Sequence, residues 1–343
     1  MNRLAPDLEL IAANTQGLWA ELRGERVFIT GGTGFFGCWL VESFCYMNQK
    51  LGLGAEATIL TRNPEAFGQK CPHLASDPAI KLQAGDVRNF SFPAGEYKCV
   101  IHAATEASAK QAAEAPLEML STIVAGTERA LEFAATHGTT KFLLTSSGAV
   151  YGKQPPDLTH VPETYAGAPD PLNPANVYAE GKRTAELLCA LYQKRAGLDC
   201  KIARCWAFCG PHLPLDQHFA IGNFIGDVLA GRPILIQGDG TPRRSYLYAA
   251  DLAVWLWTIL FRAPALVPFN VGSSHDVSIL ELAQLVARTL SPETEIRVAR
   301  QVATGALPLR YVPCVDRARE VLGLRPTVEL EECIRRTAAW HSK

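Results

Sequence analysis

The stretch ERVFITGGTGFFGCWLVESF, residues 25–44, places four glycines between a short apolar run and a helical pattern. Such a connection is either a glycine-rich tight turn or a surface that holds a phosphate. Gly31, Gly34 and Gly37 fit the second interpretation, because one permits the turn, one lets the backbone approach phosphate, and one lets the helix pack on the strand. With a strand before them and a helix after, they predict a dinucleotide-binding loop.

Apolar runs and helical patterns alternate through the first 206 residues. The predicted strands are 26–30, 57–61, 99–104, 141–147 and 200–206. The predicted helices are 37–49, 116–137 and 177–197, with a further helix over 7–22 at the start of the chain. This alternation predicts an α/β fold, a Rossmann-type doubly wound parallel sheet with helices on both faces.

Beyond residue 206 the pattern becomes rich in loops. Helices are predicted there at 220–231, 251–262, 278–290 and 329–341. We expect a smaller α/β C-terminal substrate-binding lobe that closes over the carboxyl ends of the strands, where ligands bind in open α/β sheets. The predicted domains are 1–206 and 207–343, and a segment near 236–265 is expected to return to the first.

Composition excludes several classes of partner. The 343 residues are 48% hydrophobic and 20% charged, with a formal net charge of -1, which is typical of a soluble globular protein. The absence of a basic run argues against nucleic acid and acidic membranes. Without a membrane-spanning stretch or a signal peptide, we expect a cytoplasmic protein. Ten scattered cysteines without a CxxC pair predict buried reduced thiols and no metal site.

Four further motifs accompany the glycine loop, whose spacing is GxxGxxG. They are GDVRNF (85–90), HAAT (102–105), SSGAVYG (146–152) and YAEGK (178–182). Together they resemble the extended branch of the short-chain dehydrogenase/reductase superfamily, the NAD(P)-dependent epimerase/dehydratase family that acts on nucleotide sugars. The resemblance covers the chain from residue 25 onward.

The resemblance implies a cofactor site and a catalytic group. The cofactor-binding residues implied are Gly31, Gly34, Phe35, Phe36, Gly37, Asp86, Val87, Ala103, Ala104, Tyr178 and Lys182. Asp86 would meet the adenine, and the 102–105 strand end would line the pyrophosphate. Ser147, Tyr178 and Lys182 correspond to the catalytic serine and the Tyr-x-x-x-Lys pair.

Tyr178 and Lys182 are four residues apart on a predicted helix, so their side chains share one face. A tyrosine with its ordinary pKa near ~10 is a poor base at neutral pH. A close ammonium favours the phenolate, so we expect Lys182 to lower the pKa of Tyr178 while it also holds the nicotinamide ribose. Ser147 would hydrogen-bond the reacting oxygen. Ser146 is the neighbouring alternative, since strand alternation points only one of the two into the site.

The residues after the serine are informative by comparison with the same family. Its 4,6-dehydratases carry an Asp-Glu pair there, and its decarboxylases carry a Glu. This chain has Gly148 and Ala149. Neither side chain can transfer a proton, which leaves oxidation and reduction at a carbinol.

The second predicted strand ends in Leu60-Thr61-Arg62. An acidic residue at this point would bind the adenine ribose 2′-hydroxyl and repel a 2′-phosphate. Arg62 therefore favours NADP over NAD as the cofactor, the alternative being a surface arginine with no specific task.

Two segments of the C-terminal lobe resemble those that bind the diphosphate of a nucleotide sugar. The resemblance assigns Arg244, in GDGTPRRSYLYAADL, and Arg310 to the diphosphate, and Asn223 to a diphosphate or nucleotide contact. Alternatively, Arg243 and Arg244 form a solvated basic pair. Ala207 stands where many relatives carry an asparagine.

An additional proton donor is a possible role for four other residues: His212, His218, Cys205 and Cys209. The alternative is that the histidines are ordinary loop residues and the cysteines ordinary core residues.

These residues predict an NAD(P)-dependent oxidoreductase acting on a nucleoside-diphosphate sugar at C4, either a 4-epimerase or a 4-ketoreductase. The alternatives are a ketone or aldehyde reductase for a small molecule without a nucleotide, and a dinucleotide-binding sensor without chemistry. The resemblance also implies a homodimer paired through helices 116–137 and 177–197.

Overall fold

A computed structural model of the chain describes residues 3–105, 109–217, 219–301, 305 and 307–342. The strands in chain order are β1 (Arg26–Thr30), β2 (Glu56–Thr61), β3 (Ile80–Ala84), β4 (Cys99–His102), β5 (Lys141–Ser147), β6 (Asp199–Cys205), β7 (Phe208–Cys209), β8 (Ile234–Ile236), β9 (Arg243–Ser245), β10 (Leu247–Tyr248), β11 (Pro268–Val271), β12 (Asp276–Ser278), β13 (Ile296–Val298) and β14 (Arg310–Tyr311). The α-helices are α1 (Ala5–Asn14), α2 (Phe35–Leu51), α3 (Pro64–Lys70), α4 (Pro72–Ala75), α5 (Ala109–Glu114), α6 (Pro116–Thr136), α7 (Val177–Ala196), α8 (Ala220–Leu229), α9 (Ala249–Arg262), α10 (Ile279–Leu290), α11 (Asp316–Leu322) and α12 (Leu330–His341).

Seven strands form one sheet in the order β11-β6-β5-β4-β1-β2-β3. β1 pairs in parallel with β2 on one side and with β4 on the other, so Val27 lies opposite both Ala57 and Cys99. The strand order reverses at β1, as in doubly wound folds, where ligands bind beyond the carboxyl ends of the strands. The predicted Rossmann-type parallel sheet is confirmed.

Two predicted elements differ from those observed. The strand β3 was absent from the sequence-based prediction because Lys81 and Gln83 interrupt its apolar character, as is usual at the edge of a sheet. The predicted helix over 7–22 is two elements, α1 and a 3₁₀ turn over Trp19–Leu22. Gly17 between them has a φ of 77°, a left-handed conformation that a continuous helix over 7–22 could not contain.

The described residues divide into two compact units. The first consists of 1–150, 169–204 and 253–269, and the second of 151–168, 205–252 and 270–343. The predicted boundary at 206 assigned 151–168 to the first domain, but these residues belong to the second unit. The segment that rejoins the first unit is 253–269, which overlaps the predicted segment near 236–265 over residues 253–265.

Aromatic side chains fill the core of the first unit between the sheet and α6. Phe28 on β1 lies 4.6 Å from Phe133 on α6 and 5.3 Å from Phe90, ring centroid to centroid. On α9, the buried Trp257 donates a hydrogen bond from Nε1 to Ser43 Oγ at 2.8 Å and packs against Trp19. Burial of such rings stabilises the sheet on which the candidate site is built.

The second unit is organised by the buried Asn270. Its Oδ1 accepts hydrogen bonds from Tyr151 Oη at 3.0 Å and Trp206 Nε1 at 3.1 Å. Its Nδ2 donates to the carbonyls of Val161 and Cys314 at 2.8 and 3.0 Å. All four hydrogen bonds of the amide are thereby made, so Asn270 joins separate segments of the unit at little cost in desolvation.

Within the described ranges, no helix is both long enough and apolar enough to cross a bilayer. All ten cysteines lie in those ranges, and their thiols are free.

Candidate active site

The glycine loop passes very close to the end of β4. Gly31 has a φ of 71°, and a Cβ atom there would lie 2.5 Å from the carbonyl carbon of Ala103. A Cβ on Gly37 would collide with the backbone of Gly31 and Gly32. Only glycine fits at either position. Gly31 has a left-handed backbone conformation, and both Gly31 and Gly37 lie against neighbouring backbone atoms. The loop therefore brings its own backbone, and the N-terminus of α2, to one cavity.

That cavity has a volume of about 240 Å³ and lies in the first unit. Its lining residues are Gly31, Thr33, Gly34, Leu60, Thr61, Arg62, Gly85, Asp86, Val87, Ala103, Ala104, Thr105 and Thr122. Seven of the predicted cofactor residues are thus brought together. The backbone amides at the start of α2, with the helix dipole, suit a pyrophosphate, so these residues fit a dinucleotide.

Five predicted cofactor residues are outside the lining of this cavity: Phe35, Phe36, Gly37, Tyr178 and Lys182. Phe35 and Phe36 begin α2, half-buried, with their rings 5.8 Å apart. Gly37 is buried in the first turn of the helix. Their positions allow the helix to approach the loop.

Asp86 is held by a neighbouring cation. Arg88 donates to its carboxylate from Nε and Nη2, both at 2.8 Å, and from the backbone N at 2.9 Å. The Arg88 hydrogen bonds lower the pKa of Asp86 to about 2, with a smaller contribution from the charge of Arg62. The carboxylate therefore stays ionised, and two guanidinium groups lie on its side of the cavity.

Lys182 is buried on α7, with 2% of its surface exposed. Its Nζ donates to Thr105 Oγ1 and to the carbonyl of Thr145, both at 2.8 Å. The same Nζ lies 5.9 Å from the centroid of the half-buried Tyr178 ring. The tyrosine and the ammonium therefore share one helix face, as the four-residue spacing predicts, and neutral oxygens fix the direction of the ammonium.

The two serines at the end of β5 have different partners. Ser146 Oγ donates to Glu186 Oε1 at 2.6 Å, and the Glu186 carboxylate also holds Arg204 in a two-point ion pair at 2.9 and 2.6 Å. Ser147 Oγ accepts from the backbone N of Ala149 at 3.1 Å, a contact that does not use its hydroxyl hydrogen. The geometry favours Ser147 as the residue that can donate to a ligand.

In the second unit, three arginines lie on neighbouring strands with different partners. Arg243 pairs with Asp276, and Arg310 Nη1 lies 3.1 Å from Asp276 Oδ2. Arg244 instead donates to the carbonyl of Arg243 at 2.9 Å and lies 5.5 Å from the Tyr311 ring centroid. Within the described part of the chain, no carboxylate pairs with Arg244. Burial lowers the pKa of its guanidinium, as expected for a desolvated cation that has no anionic partner.

Asn223 lies on α8, in the lining of a second cavity. That cavity has a volume of about 770 Å³ and belongs to the second unit. Asp227, Arg232 and Arg297 also line it. Many of its other lining side chains are apolar, among them Phe224, Leu235 and Ile236, so the cavity suits a ligand with both apolar and polar groups.

The remaining candidates have structural contacts. His212 is 7% exposed, with a φ of 70°, and its ring lies 4.6 Å from that of Trp340. Cys209 Sγ lies 3.1 Å from Thr337 Oγ1, and burial raises the pKa of its thiol to about 12. Cys205 is buried, and His218 lies outside the described residues.

Sequence reasoning missed the residues that hold the predicted ones. Thr105 binds the Lys182 ammonium, Glu186 engages Ser146, and His102 lies buried under the cavity. Thr105 and His102 stand inside the quoted motif HAAT. Their polar side chains at the end of a buried strand were the available signal.

Comparison with known proteins identifies the class. The NAD dependent epimerase/dehydratase family model matches residues 27–272, and the chain belongs to that family, whose enzymes modify nucleotide sugars and depend on NAD.

Among its relatives, UDP-glucuronic acid decarboxylase 1 of Arabidopsis thaliana is 32% identical over 308 residues, which are 90% of this chain and 67% of that protein. UDP-glucuronic acid decarboxylase 6 of the same plant is 30% identical over 307 residues, which are 90% of this chain and 86% of that protein. A dTDP-glucose 4,6-dehydratase of Streptomyces venezuelae, solved with NAD bound, superposes with a TM-score of 0.78 at 23% identity, over 92% of this chain and 96% of that one. A UDP-galactose 4-epimerase structure has a TM-score of 0.72 at 26% identity and covers 92% and 98%.

Proposed function

We propose that this enzyme oxidises or reduces C4 of a nucleoside-diphosphate sugar, as a 4-epimerase or a 4-ketoreductase. The observation that carries the proposal is the neighbourhood of Ser147. The serine, Tyr178 and the buried Lys182 supply groups for a carbinol, whereas Gly148 and Ala149 supply no acid or base for a second reaction.

Gly31, Asp86 and Ala103 would help to hold a nicotinamide dinucleotide, which would supply the hydride-transfer chemistry at C4. Tyr178, as phenolate, takes the proton of the C4 hydroxyl in the oxidising direction and returns it in the reducing direction. Ser147 donates a hydrogen bond to the same oxygen and stabilises the charge that develops there. Lys182, whose ammonium is held by Thr105 and the Thr145 carbonyl, favours the phenolate by its charge.

Decarboxylation of UDP-glucuronic acid is the second candidate. The relatives at 30–32% identity that carry this name favour it. The family's decarboxylases use a glutamate shortly after the catalytic hydroxyl residue, and this chain has Ala149 in that place. We therefore rank it below chemistry that needs only the three residues named above.

We further propose NADP as the preferred cofactor, with NAD as the alternative. Arg62 lines the cavity at the end of β2, where an acidic residue would select NAD. A reduced NADP pool drives reductions, so this preference favours the ketoreductase over the epimerase.

We propose that residues of the second unit bind the nucleotide part of the substrate. Arg244 is the stronger diphosphate candidate, because Arg310 already pairs with Asp276. Asn223 and its cavity are proposed to contact the nucleotide. If the substrate were a ketone or aldehyde without a nucleotide, the loss of Arg244 would leave its affinity unchanged. A sensor without chemistry would have no use for Tyr178.

A homodimer through α6 and α7 is also proposed. Leu187 and Leu191, one turn apart on α7, are 58% and 52% exposed. An apolar stripe of this kind is buried favourably by a second copy of the chain.

The test is a panel of nucleotide sugars, their 4-keto forms and UDP-glucuronic acid, each incubated with NADPH, NADH or NAD. Cofactor absorbance, product stereochemistry and release of carbon dioxide are measured together. A C4 epimer without net cofactor change identifies an epimerase, and stoichiometric loss of NADPH identifies a reductase. Release of carbon dioxide from UDP-glucuronic acid would overturn the proposal.

A further inference from the structure

A continuous series of hydrogen bonds runs beneath the cofactor cavity, from α7 to α6. Lys182 Nζ donates to Thr105 Oγ1 at 2.8 Å, and that hydroxyl donates to the carbonyl of Ala104 at 2.7 Å. The amide N of Ala104 lies 3.2 Å from Thr30 Oγ1, which is 2.8 Å from His102 Nδ1. Residue 104 thus links the catalytic lysine to a buried histidine.

The far end of the series fixes the tautomer of that histidine. Thr127 Oγ1 donates its single hydrogen to the carbonyl of Ile123 at 2.6 Å. It can therefore only accept from His102 Nε2, which lies 3.1 Å away. Nε2 must carry the proton. His102 is 1% exposed, and burial, with the charge of Lys182, lowers its pKa to about 3. The ring is neutral, so Nδ1 presents a lone pair.

The tautomer in turn orients Thr30. Because Nδ1 can only accept, the hydroxyl hydrogen of Thr30 points at the ring, and its oxygen lone pair faces the amide of Ala104. A second bond, from the amide N of Ala103 to the carbonyl of Thr30 at 3.1 Å, fixes the same segment. Ala103, Ala104 and Thr105 all line the cavity.

We propose that His102 is a positioning residue, which through Thr30 holds the 103–105 segment, and through Thr105 the Lys182 ammonium, in the arrangement that binds the dinucleotide. This inference rests on the proposed function of the cavity. It assigns His102 a role distinct from packing, because the role needs an acceptor at Nδ1 rather than a ring of a given volume.

Two substitutions separate these roles. His102→Leu keeps apolar volume and removes the acceptor, so the Thr30 hydroxyl is buried without its partner. His102→Asn is smaller but retains an oxygen that can accept from Thr30 near the Nδ1 position. If His102 only fills space, His102→Leu should bind the dinucleotide more tightly than His102→Asn. If His102 positions Thr30, His102→Asn should bind it more tightly than His102→Leu.

The measurement is the dissociation constant of NADPH and of NADH, by fluorescence titration, for the wild type and both variants. We expect His102→Leu to raise it by roughly tenfold or more, and His102→Asn by no more than about threefold. The matched control is Ser43→Ala, which leaves the buried Trp257 Nε1 without its partner elsewhere in the first unit. It should lower the melting temperature by a comparable amount without changing the dissociation constant.

The outcomes distinguish the two proposals. If the wild type binds neither dinucleotide, the proposed function fails and this inference falls with it. If the wild type binds and His102→Leu binds equally well, or better than His102→Asn, the inference alone is overturned. Should neither variant fold, Thr127→Val removes the acceptor for Nε2. It is expected to weaken binding severalfold relative to Ser43→Ala, and unchanged affinity would overturn the inference.

Discussion

Two regions of this protein, the cavity of the first unit and the strands β9 and β14 of the second, hold their cations differently. In the first unit, Lys182 donates to a hydroxyl and a carbonyl, both neutral. In the second, Arg243 and Arg310 share the carboxylate of Asp276. A carboxylate cancels most of the potential of a cation, whereas neutral acceptors fix its direction and leave its charge to act on a ligand. Arg244 donates to the main-chain carbonyl of Arg243 and lies beside the ring of Tyr311, so these contacts of its guanidinium are also with neutral groups.

A cation that pairs with a carboxylate stabilises the fold. A cation held by neutral acceptors keeps a charge that can act on a ligand. The desolvation of Arg244 is not offset by an ion pair with any carboxylate in the described part of the chain. An anionic ligand is the natural source of compensation for such a desolvated cation. Substitutions on each side of the contrast should therefore fail in different ways.

The largest effect is expected at the residue on which Lys182 acts. Tyr178→Phe removes the proton acceptor and should lower kcat by about 10²–10⁴-fold with little change in melting temperature. Turnover is measured on whichever substrate the panel identifies. Tyr192→Phe, on the same helix and also against the core, is the control and should retain activity. Full activity of Tyr178→Phe would remove the chemical reason for the buried ammonium.

The charge of Lys182 should also appear in the pH dependence of folding. Burial and Lys182 together lower the pKa of His102 to about 3, below the value near ~6.5 of an unfolded chain. Protonation therefore favours the unfolded state, and this stability is fully present above pH ~6.5 and is lost as the pH falls towards 3. The contribution between pH 7 and pH 4 is at most about 3 kcal/mol.

Urea unfolding at several pH values measures this contribution. The free energy of unfolding of His102→Asn should fall less steeply between pH 7 and pH 4 than that of the wild type. Parallel curves for the two proteins would show that His102 is not a buried neutral ring.

The contrast within the second unit predicts unequal effects of two arginines. Arg244→Ala should raise KM for the nucleotide sugar about 10–100-fold, because a charged hydrogen bond to the diphosphate is lost. Arg310→Ala should raise it less and lower the melting temperature more, since its partner is Asp276. Steady-state kinetics and thermal unfolding of both variants test this. Equal changes in KM for Arg244→Ala and Arg310→Ala would contradict the proposal that Arg244 is the stronger diphosphate ligand.

The smallest effect concerns cofactor choice at the exposed Arg62. Arg62→Ala should lower the preference for NADPH over NADH by about tenfold, as one charged contact to a 2′-phosphate at a solvated position is removed. The ratio of the two dissociation constants is the measurement. Lys81→Ala, whose partner is Glu56 at the other end of β2, should leave the ratio unchanged. A preference for NADH in the wild type would contradict the assignment.

The sheet and its crossover helices were predictable because each element carries its own periodicity. The strands β1, β2, β4, β5 and β6 are buried along nearly their whole length and contain short apolar runs, since helices cover them on both faces. The edge strand β3 lacks that signature, and the break between α1 and the turn over Trp19–Leu22 includes the left-handed backbone of Gly17. Local composition does not encode either feature strongly.

In the candidate site, sequence spacing predicted which residues meet but not what holds them. The pairing of Tyr178 with Lys182 follows from helical geometry alone. The choice between Ser146 and Ser147 required the position of Glu186, forty residues further along the chain. Likewise, Arg244 and Arg310 look equivalent in the sequence, and only the pairing of strands reveals that Asp276 engages the second.

The division of the chain between the units has a practical consequence. The polypeptide passes from one unit to the other after residues 150, 168, 204, 252 and 269, so no single cut releases either unit intact. A fragment ending at residue 204 would lack α9 and expose Trp19 and Ser43, which Trp257 now covers. Attempts to express the halves separately, or to exchange one with a relative's by a single crossover, are therefore expected to yield aggregates.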